Sequence, residues 1–341
     1  MKAVGLTRYL PIDHPESLQD FELADPIVSA RDILVEVRAV SVNPVDYKVR
    51  APKEQQEPTP RILGWDAAGI VRAVGSEVTG FKPGDAVYYA GSIKRQGTNA
   101  ELHLVDERIV GHKPTNLGFA EAAAVPLTAL TAWEALFDRL GISAQGADAG
   151  KRVLLIGGAG GVGSMMIQIA KRMAKLHVTA TASRPESQAR ARELGADDVL
   201  DHSRSLAEQH SERGLPEFDY IVCFSSLEQH FASFSSLIRA QGKICGIVGT
   251  SAALPLGALM SKSVTFVWEL MFTRSSYDTS DIGEQRRVLD EIASLIERGA
   301  LRTTLSQHFG AINAANLRRA HAALEQGHTL GKIVLEGFGA S

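Results

Sequence analysis

The stretch from Val153 to Ala174, VLLIGGAGGVGSMMIQIAKRMA, constrains this chain more than any other. It opens with an unbroken apolar run, the pattern of a strand buried on both faces. A glycine-rich bend follows at residues 157–163, and then Met165, Met166, Ile169, Ala170 and Met173 recur at helical spacing. Within the bend Gly158, Gly160 and Gly163 fit G-x-G-x-x-G, with Gly161 and Val162 filling the last two intervening positions. The motif sits where its physics requires, after a strand and before a helix. Glycines let the backbone turn sharply and approach a pyrophosphate, and the free N–H groups at the helix start hold the anion. The stretch is therefore expected to bind a dinucleotide.

The same alternation continues downstream. Strands are predicted at 152–157, 177–183, 198–201, 218–224, 242–248 and 263–269, with helices between most of them, such as 185–194 closed by Gly195. This is the pattern of a doubly wound α/β unit, a parallel sheet with helices on both faces. Residues before about 126 read differently. Segment 33–42 alternates apolar and polar, and 70–87 reads as strand, turn, strand around Gly75, Gly80 and Pro83-Gly84-Asp85. Segment 51–60, APKEQQEPTP, is polar and proline-rich, and a surface loop is expected there. A helix is predicted over 127–140. After about residue 277 come helices at 282–297 and 314–326 and a last strand at 332–335, too little for a third domain and expected to pack back on the first.

Bulk properties narrow the partners. The 341 residues carry a net charge of -3 without a basic or acidic block, which argues against nucleic acid or an anionic membrane as partner. Two cysteines, Cys223 and Cys245, can form neither a disulfide framework nor a four-cysteine zinc site. The N-terminal MKAVGLTRYLP lacks a signal-peptide core, and the most apolar region, 120–136, is interrupted by Pro126, Thr128, Thr131 and Glu134. A cytoplasmic protein with no membrane partner is expected.

The second strand of the nucleotide-binding unit should end beside the adenosine ribose. A carboxylate there would select NAD, whereas a small residue with an arginine nearby accepts a 2′-phosphate. Here the strand ends in Ser183-Arg184, and the nearest acid is Glu186, beyond Pro185. NADP(H) is the expected cofactor. His202, after the third strand, either touches adenine or the phosphate or is an ordinary surface histidine.

The chain resembles the medium-chain dehydrogenase/reductase superfamily, most closely its zinc-free quinone oxidoreductase branch and the related zinc-type alcohol dehydrogenase-like proteins. The resemblance spans nearly the whole chain. It rests on SVNPVDYKVR (41–50), ILGWDAAGIVRAVG (62–75), FKPGDAV (81–87), LTALTAW (127–133), GGAGGVGS (157–164), ELGAD (193–197) and GKIVLEG (331–337). It implies a GroES-like, β-rich catalytic domain from residues 1–127 and 278–341, with a Rossmann NADP-binding domain inserted at 128–277. It also implies a homodimer formed through the last Rossmann strand. Zinc-dependent members carry a cysteine in the first of these motifs and GHE in the second. This chain has Asn43-Pro44-Val45-Asp46 and Trp65 instead, so no zinc is expected.

Without a metal to polarise an alcohol, reduction of a quinone or an α,β-unsaturated carbonyl is the expected chemistry. Negative charge then develops on a carbonyl oxygen that one hydrogen bond can stabilise. Asn43 and Tyr47 are expected to line the acceptor site, with Tyr47 as proton or hydrogen-bond donor or else a packed aromatic edge. Asp46 is expected beside them, fixing the local backbone. Trp65 and Trp268 are candidate walls of an apolar pocket for the small-molecule acceptor, with core packing the alternative for Trp268. Thr131 matches the family position that reaches the nicotinamide, and Val248 and Gly249 follow the strand that should end under that ring. Lys332 opens the last strand, where family counterparts lie near the cofactor; a surface lysine is the alternative. A zinc-dependent alcohol dehydrogenase with unusual ligands and a crystallin-like nucleotide-binding protein stand as the competing readings.

Overall fold

The structure, a computed structural model, describes residues 1–339. Two units divide the chain: Thr131–Met271, and Met1–Leu130 joined by the segment that begins at Phe272.

The contiguous unit is built on six parallel strands. In chain order they are β1 (Arg152–Ile156), β2 (His177–Thr181), β3 (Asp198–Leu200), β4 (Phe218–Cys223), β5 (Ile238–Gly246) and β6 (Thr265–Trp268). Their order across the sheet is 3-2-1-4-5-6. The reversal beside β1 is where such sheets take a nucleotide. Apolar runs explain the central strands: four consecutive residues of β1 and all six of β4 are buried. The helix Pro185–Leu194 begins on a proline and ends at Gly195, whose φ of +115° is the left-handed stop a glycine supplies. The fold class is thus the Rossmann-type α/β unit expected, beside a β-rich one.

One helix departs from expectation. Residues predicted as a single helix over 127–140 form an α-helix, Pro126–Trp133, that widens into a π-helix, Glu134–Arg139. In the wide turns Glu134 and Arg139 both approach Glu269, just past β6: Arg139 Nε donates to Glu269 Oε2 at 2.8 Å. Both glutamates are buried, and burial and then the neighbouring Glu134 favour the protonated form of Glu269.

The other unit closes on itself from both ends of the chain. Its central strand Asp32–Val42 pairs antiparallel with Ala67–Val74, with Leu102–Asp106 and with the C-terminal strand Lys332–Glu336. Ile333 lies opposite Val42 and Glu336 opposite Ala39, so the tail does return to this unit. A smaller sheet corrects the sequence reading. The polar segment expected as a loop is strand Lys53–Ile62, antiparallel to Lys2–Tyr9. It is an edge strand, so its polar residues face water without cost. Pro58 and Pro60 lie where the register jumps between Arg61 and Gln56, a place that needs no ladder N–H.

Among the described residues no helix is long and apolar enough to cross a membrane.

Burial, and next the Glu134 carboxylate, push the Glu269 pKa up. The folded chain therefore keeps a proton that the unfolded chain releases at ordinary carboxylate pH. Stability is full at acid pH and declines as pH rises toward the raised value. Glu269→Gln is expected to flatten that decline. Melting temperatures at mildly acidic and mildly alkaline pH test it, and equal slopes in variant and wild type would show that no proton is shared.

Candidate active site

The glycine bend is divided between two jobs. Gly157 turns the chain out of β1 with φ of +96°, and its N–H donates to Thr181 Oγ1 at 3.0 Å. Gly158 donates to the Thr181 carbonyl at 3.0 Å, and a Cβ on it would stand 2.7 Å from the Ala180 Cβ. At Gly163, in the first turn of helix Gly161–Arg172, a Cβ would stand 2.5 Å from the Gly157 carbonyl oxygen. These two glycines let strand and helix touch. Gly160, the residue before the helix, is different: the nearest atom a Cβ would meet is 3.8 Å away. No packing demand explains a glycine there. Open space at the helix N-terminus, flanked by Gly161 and Val162, suits a pyrophosphate.

The other cofactor candidates cluster round this bend or follow neighbouring strands. β2 ends at Thr181, and Ser183 and Arg184 follow, both half-buried. Arg184 precedes the helix Pro185–Leu194 and lies 3.3 Å from Glu186, so the acid beyond the proline answers the guanidinium rather than the ribose position. His202 is no stray surface residue. Its Nδ1 lies 3.0 Å from Thr181 Oγ1, the oxygen that accepts from Gly157 N. Thr181 thus joins the bend to the loop after β3, a link that sequence reasoning missed. Val248 and Gly249 follow β5, and Thr131 lies on the helix Pro126–Trp133.

The acceptor-side candidates gather in the other unit around one buried cation. Lys332 is 3% exposed, and its ammonium donates to the Val42 carbonyl at 2.6 Å, to Asn43 Oδ1 and to Asp66 Oδ2 at 3.1 Å. This corrects the surface-lysine alternative for Lys332: the side chain is buried, and its three donors all meet protein acceptors. Asn43 is buried beside it. Its Nδ2 donates to Asp66 Oδ2 at 2.8 Å and lies 3.4 Å from the carbonyls of Ser41 and Trp65. Asp46 is fully buried; its Oδ2 accepts from Asn43 N at 2.6 Å, and burial pushes its pKa up to about 7. It braces the backbone at the start of the helix Pro44–Arg50. Asp66, overlooked in the sequence, receives Leu127 N on its second oxygen at 2.8 Å. An acid flanked by buried apolar residues was the available signal.

Tyr47 sits on the helix Pro44–Arg50 that Asn43 precedes. It is half-buried, and its hydroxyl has no hydrogen-bond partner among the described residues. Trp65 is core rather than pocket wall: 1% exposed, its indole N–H given to the Ser92 carbonyl, its edge against Phe272. For Trp268 the structure rules out the alternative of core packing. It lies on the outermost strand, 47% exposed, with its ring over Gly246.

These residues do not fit a catalytic zinc. Trp65 offers no ligating atom, both nitrogens of nearby His103 are occupied by Tyr89 and Gln96, and the Asp66 carboxylate already holds an ammonium. Among the described residues no three His, Cys, Asp or Glu side chains gather as a metal would need.

A nucleotide-binding Rossmann sheet and a GroES-like β unit in one chain define an alcohol dehydrogenase-like oxidoreductase. The alcohol dehydrogenase GroES-like domain family matches residues 29–134, and the zinc-binding dehydrogenase family matches residues 194–335. The chain belongs to the medium-chain dehydrogenase/reductase superfamily. It is 42% identical to a zinc-type alcohol dehydrogenase-like protein of Staphylococcus aureus over 336 residues, 98% of this chain and 99% of that one. Its fold is similar to a solved structure from Rhizobium etli, provisionally named a zinc-dependent alcohol dehydrogenase (TM-score 0.95, 50% identity, covering 100% and 99% of the two chains). It is also similar to the quinone oxidoreductase of Coxiella burnetii (TM-score 0.80, 25% identity, covering 98% and 99%).

The two kinds of glycine separate experimentally. Gly160→Ala is expected to leave the melting temperature unchanged and to weaken dinucleotide binding at least tenfold, read by titration with NADPH. Gly163→Ala is expected to lower the melting temperature itself, since backbone atoms cannot give way. Equal effects of the two would refute the division of labour.

Proposed function

We propose that this oxidoreductase uses NADPH to reduce quinones or α,β-unsaturated carbonyls, without a catalytic metal. The observation that carries the reading is the glycine bend, whose middle glycine faces open space while its companions are walled in by protein atoms. Ser183 and Arg184 extend it. Where a carboxylate would take a ribose hydroxyl, the chain has a hydroxymethyl side chain followed by a guanidinium, which suits a 2′-phosphate. When bound, NADPH supplies hydride from its nicotinamide ring.

The chain's own contribution is binding, orientation and one proton. Burial, and then Glu325, raise the Tyr47 pKa, which keeps its phenol protonated. An uncommitted O–H of this kind can donate to an acceptor oxygen as negative charge builds there. Quinones and enones suit such a site because the charge they develop needs one hydrogen bond rather than a Lewis acid. The Trp65 position and the ammonium beside Asp66 support the metal-free reading.

The test is steady-state NADPH oxidation with 1,4-naphthoquinone and with a small enone. Turnover of at least one is expected, and no turnover of either while NADPH binds tightly would defeat the proposal. Arg184→Ala should cost roughly 10- to 100-fold in NADPH affinity and leave NADH affinity alone. Tyr47→Phe should lower kcat by roughly 100-fold. One zinc per chain in protein purified without added metal would favour alcohol oxidation, which relatives' names suggest.

The open edge of β6 also supports a homodimer. Trp268 and Leu270 are 47% and 56% exposed beside unpaired strand groups, a template for a second copy of the strand. Sedimentation is expected to give twice the chain mass, and Trp268→Lys to give a monomer. A wild-type monomer at micromolar concentration would remove the assignment.

A further inference from the structure

The geometry points to Lys332 as the residue that positions the acceptor side of the site: we propose that its buried ammonium fixes Asn43 and, through it, the helix that presents Tyr47. This rests on the reductase reading for the role of Tyr47, though not for the geometry.

Three separated stretches of chain meet on this one cation, and a fourth joins through Asp66. Lys332 opens the C-terminal strand, and pairing of Ile333 with Val42 brings its ammonium to the end of Asp32–Val42. Its hydrogens meet three acceptors: the Val42 carbonyl, Asn43 Oδ1 and Asp66 Oδ2. Asp66 in turn binds Asn43 Nδ2 and Leu127 N. The Asn43 amide cannot be flipped. Turning it would aim its NH2 at the ammonium and its oxygen at the Asp66 carboxylate.

A fixed Asn43 in turn fixes the helix after it. Its backbone N–H donates to Asp46 Oδ2 at 2.6 Å and its carbonyl accepts from Asp46 N at 3.0 Å, which closes the first turn of Pro44–Arg50. At the other end of that helix Arg50, 1% exposed, donates to the Leu10 carbonyl and pairs with Glu325 on the helix Ala314–Glu325. Tyr47 lies between the two anchors, and its hydroxyl has no hydrogen-bond partner among the described residues. A donor held this way arrives already oriented, and orientation is what a site lacking a metal must supply. Lys332 and Asn43 are therefore positioning residues, each acting through the next.

The test compares wild type with Lys332→Met/Asp66→Asn and with Asn43→Ala. The double variant removes both members of the ion pair together, so neither is left without the other. Asn43→Ala keeps the ion pair and cuts only its link to the helix. Both are expected to melt cooperatively, to keep the wild-type affinity for NADPH and to lose roughly 100-fold in kcat with 1,4-naphthoquinone. Wild-type kcat in either folded variant would overturn the proposal. A readout independent of turnover accompanies it: the Tyr47 ring resonances, assigned by their loss in Tyr47→Phe, should shift and broaden in both variants. If wild type reduces neither quinone nor enone, the reductase reading falls while these resonances still decide the positioning role. Resonances that stay in place refute that role. Should the double variant fail to fold, Asn43→Ala decides alone.

Discussion

The glycine bend depends on a close approach between two stretches of backbone. Helix Gly161–Arg172 lies so near the end of β1 that a single added methyl at Gly163 would reach within 2.5 Å of the Gly157 carbonyl oxygen. That contact aims the helix N-terminus back at the bend, and the direction of the helix axis makes the bend attractive to an anion. Thr181 completes the arrangement from the next strand by accepting from Gly157 N and meeting His202. An anion site of this kind needs no charged side chain in its first layer; oriented N–H groups are enough.

The other unit solves the opposite problem. Its interior holds an ammonium and two aspartates out of water, an arrangement tolerated only when nearly every polar atom has a partner. Lys332 meets that condition with three acceptors, and Asp66 does so with donors from Lys332, Asn43 and Leu127. Asp46 does not. Its Oδ1 has no partner, and its pKa is raised accordingly. The polar groups of this cluster are thus directed inward, whereas Tyr47 on the helix beside it is half-buried.

Much of the Rossmann sheet was legible because its code is local. A strand buried on both faces must be continuously apolar, and a proline at a helix start with a glycine at its end marks the limits of 185–194. The edge strand Lys53–Ile62 was illegible for the same reason that it exists: water covers its outer side, so its composition is that of a loop. The π-helix was hidden because Glu134 takes its place from Glu269, far away in sequence. The acceptor side was the least legible. Asn43, Asp46 and Lys332 could be picked out by motif, but their inward orientation depends on strand pairing between residues 42 and 333. A lysine before an apolar strand reads as solvent-facing until that pairing places carbonyl and carboxylate oxygens around it.

The discontinuity of the β-rich unit has a consequence for synthesis. All six strands of the parallel sheet lie within one uninterrupted stretch and leave the ribosome together, so that sheet can form while translation continues. The strand Asp32–Val42 is made before the parallel sheet, yet its neighbour Lys332–Glu336 is made after it. Throughout elongation the nascent chain therefore carries an apolar strand with one side vacant, and Asp66 lacks its counter-ion. Chaperone occupancy should concentrate on that first segment, and chains released before residue 332 would be marked for proteolysis by the same exposed edge.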